Sequence, residues 1–76
     1  MMFVKTLNGY LDISKVVYIA IGNRSFAGKR YFMIVFYTLG GSESNFFVHS
    51  EYENLDDAEN AIRRIVDSLN TGGSYV

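Results

Sequence analysis

The residues of this chain that could do chemistry are few, and most lie in two places: a glycine-bounded stretch in the first half and a histidine with acidic residues ahead of the C-terminal segment. Gly22-Asn23-Arg24-Ser25-Phe26-Ala27-Gly28-Lys29 follows an apolar run and ends in Gly-Lys, the pair that approaches phosphate in a nucleotide-binding loop. The mechanics do not match. Such a loop needs four residues between its glycines, Ser or Thr after the lysine to hold magnesium, and a helix to follow. Here five residues intervene, Arg30 takes the hydroxyl position, and the next residues read as a strand. What remains is a projecting loop in which Arg24, Lys29 and Arg30 surround Phe26, a combination suited to an acidic protein surface or a nucleic-acid backbone.

His49 and Glu51 share strand spacing, so a proton-transfer pair can be drawn, but a base also needs a substrate pocket or nucleophile. Ser42, Ser44 and Ser50 lie nearby, none in a recognisable nucleophile turn, and a strand histidine reads first as a structural or interface residue. Glu51, Glu53, Asp56, Asp57 and Glu59 form an acidic run that invites a basic partner or a cation. Most of them flank a predicted helix N-terminus, where negative charge is favourable for local reasons. With no cysteine and one histidine, disulfides and thiolate zinc sites are excluded, and no cofactor or metal is expected. Nothing in the sequence argues for catalysis, and the chain is expected not to be an enzyme.

The elements that position these residues follow from glycine and asparagine punctuation between apolar runs. Strands are expected at about 3–7, 10–13, 16–21, 30–38 and 43–50, with hairpins at Asn8-Gly9 and at Leu39–Ser42 and the long loop at 22–29. Asn54 and Asp57 form a capping-box-like pair ahead of a helix over about 55–69. Leu55, Ala58, Ala61, Ile62, Ile65, Val66 and Leu69 recur at helical spacing, and Asn70 and Gly72 supply stop signals before a loose tail, 71–76. The fold class is α+β: one domain, a five-stranded antiparallel meander sheet packed on one C-terminal α-helix.

Period-two alternation assigns one apolar sheet face to the helix: Leu11, Ile13, Val17, Ile19, Ile21, Phe32, Ile34, Phe36, Phe46 and Val48. The other face collects Tyr10, Asp12, Val16, Tyr18, Ala20, Tyr31, Met33, Val35, Tyr37, Phe47 and His49. It is far more aromatic than a solvated antiparallel face should be. Seventy-six residues make a small core, and in a chain that is 49% hydrophobic, with six Phe and six Tyr, a dense core or a partner must supply the stability.

The pattern Phe3-Val4-Lys5, Leu7-Asn8-Gly9, Leu11-Asp12-Ile13 and Val16-Val17-Tyr18-Ile19, followed by the Asp56-Asp57-Ala58 helix, resembles small uncharacterised bacterial and phage proteins with a sheet-plus-helix plan. The resemblance carries no site residues and implies a bacterial or phage setting.

The functional expectation is a non-enzymatic protein-interaction module. It self-associates, most simply as a dimer, through Tyr18, Ala20, Tyr31, Met33, Val35, Tyr37 and Phe47, and leaves Arg24, Phe26, Lys29 and Arg30 for a protein partner. A phage-type inhibitor of a host protein is a concrete version. The alternative is a nucleic-acid or nucleotide binder that stacks bases on Tyr18, Tyr31, Tyr37 and Phe47 and uses the basic loop 24–30. A formal net charge of −1 disfavours it. The N-terminal residues lack the features of a signal peptide, and no apolar run is long enough to span a bilayer, so the expected location is cytoplasmic, away from membranes.

Overall fold

The computed structural model describes residues 2–40 and 43–72, without the side chains of 40, 43 and 44. Its order is β1 (Phe3–Thr6), β2 (Gly9–Asp12), a 3-10 turn (Ile13–Lys15), β3 (Val16–Phe26), β4 (Lys29–Gly40), β5 (Glu43–Tyr52) and α1 (Leu55–Thr71). The α+β class and five strands agree with the expectation, but the strands form two sheets. One is the β1–β2 hairpin and the other is antiparallel β3–β4–β5.

The break between the sheets lies at Asp12. Its Oδ1 accepts the Ser14 backbone N–H at 3.0 Å and the Ser14 hydroxyl at 2.8 Å, capping the 3-10 turn and ending β2. The chain therefore leaves the hairpin plane instead of adding β3 beside β2. The hairpin meets the other sheet at β5, where the Leu7 N–H donates to the Val48 carbonyl at 2.9 Å.

The first hairpin turns one residue earlier than expected. Thr6 pairs with Gly9, so Leu7-Asn8 is the turn. The buried Thr6 hydroxyl sets that choice by accepting from the Asn8 N–H at 3.3 Å and donating to the Gly9 carbonyl at 3.0 Å. Gly9, at φ +148°, takes a conformation that side chains disfavour. The Gly41-Ser42 turn and the tail beyond Gly72 lie outside the described residues.

The core forms between one face of the three-stranded sheet, the hairpin and the helix. Val4, Leu11, Ile34, Phe36, Ala58, Ala61 and Ile65 are buried together, with Ile19, Ile21, Phe32, Phe47 and Ile62 packed around them. The helix shares its covering role with the hairpin, through the cross-strand pair Val4 and Leu11. Asn54 caps α1 by accepting the Asp56 N–H at 2.7 Å, a bond to the second helical residue without the reciprocal Asp57 contact expected of a capping box. Gly72, left-handed at φ +71°, closes the C-terminus on the Leu69 and Ser68 carbonyls. No described helix is long and apolar enough to cross a membrane.

Two bulges change which residues face the core. In β3, Val16 pairs with Thr38 and Tyr18 with Tyr37, leaving Val17 as the extra residue. Val16, expected on the outer face, packs against the core, and Val17, expected inside, is exposed. In β5, Ile34 pairs with Ser50 and Val35 with Val48, so His49 is extra. Because Phe36 is a core residue, its partner Phe47 points inward, and Phe46, opposite Tyr37, points outward. The expected placing of Phe46 and Val48 inside and Phe47 outside is thus reversed.

Candidate interaction surface

The loop expected at 22–29 is regular hairpin. β3 and β4 stay paired from Tyr18↔Tyr37 to Phe26↔Lys29, and only Ala27 and Gly28 form the turn, at φ +54° and +79°. Positive φ at both residues makes it type I′, which matches the twist of the flanking strands. Arg24, Phe26, Lys29 and Arg30 are therefore held on strands, and the pairing divides them. Arg24 opposes Tyr31, Phe26 opposes Lys29, and Arg30 opposes Ser25.

Two of the three cations are committed within the chain. Arg24 Nε donates to Glu51 Oε2 at 2.7 Å and Nη2 to Oε1 at 3.2 Å, a two-point pairing that reaches from β3 across β4 to β5. Its guanidinium also lies 5.2 Å from the Tyr31 ring centre. Lys29 Nζ stands 3.8 Å from Glu53 Oε1. The hydrogen bond from Arg24 holds the Glu51 carboxyl below its ordinary range, and the same bond raises Arg24.

A carboxylate with a lowered folded-state pKa contributes stability above the unfolded-state pKa and loses it as pH falls through the folded one. The Glu51→Gln variant should therefore be less stable than the parent near pH 7, and the gap should narrow at a second, acidic pH, as the carboxyl is protonated through its lowered folded-state range. Urea midpoints of both proteins at the two pH values check this, and a gap that persists in acid contradicts it.

His49 and Glu51 are not brought together. Glu51 lies on the outer face with Arg24, while His49 packs its ring 5.2 Å from the core residue Phe36 and its Nδ1 lies 2.9 Å from the Ser50 hydroxyl. None of the three main pockets is lined by His49 or Ser50. The acidic run is also dispersed: Glu51 and Glu53 meet cations, and Asp56 and Asp57 occupy the first turn of α1, where they oppose the helix dipole. Among the described residues, no three His, Cys, Asp or Glu are placed to hold a metal ion.

The outer face of β3–β4–β5 holds six of the seven expected interface residues: Tyr18, Ala20, Tyr31, Met33, Val35 and Tyr37. Phe47 belongs to the core side, and Phe46 takes its place. Tyr18, Tyr37 and Phe46 form a row across all three strands, with ring centres 5.5 and 6.3 Å apart. The middle of the face is closed by its own neighbours, since Val35 is only 3% exposed. Exposure concentrates at the margins, at Tyr18 (62%), Phe46 (65%) and Phe26 (64%).

A second apolar feature follows the free side of β3 and was not legible from strand alternation. Ile13, Val16, Val17, Tyr18, Ile19, Val66 and Leu69 line an open groove of about 490 Å³ between that edge and the end of α1. It exists because the Val17 bulge turns an apolar side chain outward and the helix stripe is wider than its buried centre. Val66 remains exposed, whereas Ser68 is buried. No family model, curated protein or solved structure matches the chain.

Proposed function

We propose that the chain is a non-enzymatic protein-interaction module that self-associates, using the outer face of β3–β4–β5 and its margins as the contact surface. The observation that carries this reading is the row Tyr18–Tyr37–Phe46, which crosses the whole sheet and ends in exposed rings. Water-facing antiparallel sheets carry polar residues there, and an aromatic row is the composition of a contact surface. Because Val35 is already sealed within the subunit, it adds little new burial, and the energy of contact comes from the margins.

The nucleic-acid reading keeps Tyr18, Tyr31 and Tyr37 on the outer face but has less support from the other residues it names. Phe47 is inside, Arg24 lies against Tyr31 and is paired with Glu51, and Lys29 faces Glu53.

Sedimentation equilibrium of the parent chain and of Tyr18→Asp tests the proposal. A buried aspartate is costly without a partner, so the variant should associate at least roughly tenfold more weakly, about 1.4 kcal/mol, with unchanged far-UV circular dichroism. Equal association by both proteins would contradict it.

A further inference from the structure

The free edge of β3 carries more than apolar exposure, because its backbone has a definite pattern. A two-residue type I′ turn closes with a hydrogen-bonded pair, here Phe26 and Lys29, and in an antiparallel ladder such pairs recur at every second residue. Arg24, Gly22, Ala20 and Tyr18 therefore direct their N–H and C=O groups to β4. Ile19, Ile21, Asn23 and Ser25 direct theirs away from the sheet. Among the described residues, no backbone bond outside the β3–β4 ladder reaches these four.

This edge has none of the usual protections. The strand Val16–Phe26 contains no proline and no lysine, its Arg24 is turned across the outer face to Glu51, and the one bulge lies at Val17, before the unpaired stretch begins.

We infer that β3 pairs with β3 of a second copy of this chain, antiparallel about a two-fold axis through Gly22, joining two sheets into one of six strands. The inference rests on the reading that the chain self-associates and places the contact at one margin of the outer face, where Tyr18 and Phe26 lie, and not over the Tyr37 and Phe46 part of the row. Centred on Gly22, the register sets Ile19 opposite Ser25 of the other copy and Ile21 opposite its Asn23, so every outward N–H and C=O from 19 to 25 finds a partner. Centred on Ile21, Ser25 would instead face the bulged Val17. Centred on Ala20, both Asn23 and Ser25 would lose their partners.

The side chains select the same centre. Tyr18 and Phe26, the two exposed aromatics of the strand, stand four residues to either side of Gly22 and meet across the junction. Gly22 occupies the closely spaced, non-hydrogen-bonded position on the axis, where Cα atoms approach to about 4.5 Å. Both outer faces lie on one side, so the row Phe46–Tyr37–Tyr18 continues into Phe26 of the second copy. Both helices lie on the other side.

Single-cysteine crosslinking decides the register, since the chain has no other cysteine. A disulfide needs Cα atoms within about 7 Å, and in this register only position 22, of the three central positions, meets its own copy at that distance. A Cβ at Gly22 would lie 3.4 Å from Val35 Cγ2 and 3.6 Å from Met33 Cε, ordinary contacts. Gly22→Cys should oxidise to a covalent dimer, while Ala20→Cys and Ile21→Cys should not. Asn23→Pro supplies a second arm: its N–H points outward, so proline spares the β3–β4 ladder and removes symmetric bonds between copies. Its association should fall at least roughly tenfold. Preferential crosslinking at Ala20→Cys or Ile21→Cys overturns the Gly22 axis. A parent dimer with no crosslink at any of the three, or with unchanged association in Asn23→Pro, overturns edge pairing and leaves self-association standing. A monomeric parent overturns both.

Discussion

Phe36→Ala is expected to destabilise the fold by about 3–5 kcal/mol. Phe36 is fully buried on the central strand, where it faces the helix and hairpin and packs beside the His49 ring. A chain of this size has a total stability on the order of 5 kcal/mol, near the low end of the range for small domains. The variant should therefore be largely unfolded at 37 °C, with its circular dichroism and urea transition measured against the parent. A midpoint close to the parent's would mean that the sheet does not pack as described.

The second large effect separates two isoleucines of α1. Ile65 is 1% exposed and belongs to the core cluster, whereas Ile62 is only partly buried at its margin. Ile65→Ala should cost about 2–5 kcal/mol, and Ile62→Ala distinctly less, since less apolar surface leaves water when Ile62 folds. Equal losses, read from chemical denaturation under one condition, would place the helix at a different rotation on the sheet.

The helix was legible because its signals agree: an Asn cap, an apolar repeat and a glycine stop all mark the same segment. The β-bulges were not. In β5, Phe46, Phe47 and Val48 are consecutive apolar residues, so alternation cannot say which of them faces inward, and His49 gives no sign of being the extra residue. Residues 22–29, the end of the β3–β4 hairpin, read as loop because the hairpin tip projects past the core. There the inward positions of β3 are the polar Asn23 and Ser25, and the turn depends on Ala27 at a positive φ that alanine seldom adopts.

The same limit applies to the contact surface. Strand alternation located most of the aromatic face, yet it ranked Val35 and Phe47 with Tyr18. Only packing shows that Val35 is covered by its neighbours and Phe47 is part of the core. Likewise, Arg24 and Glu51 are 27 residues apart in sequence, and their pairing depends on the register of three strands. The basic cluster that looked free for an acidic partner is largely answered within the chain.

Self-association is decided by the parent arm of the sedimentation equilibrium experiment, run from low to tens of micromolar. A concentration-dependent rise in mass toward twice the 8.6 kDa of the chain is expected. A single 8.6 kDa species over that whole range would contradict it.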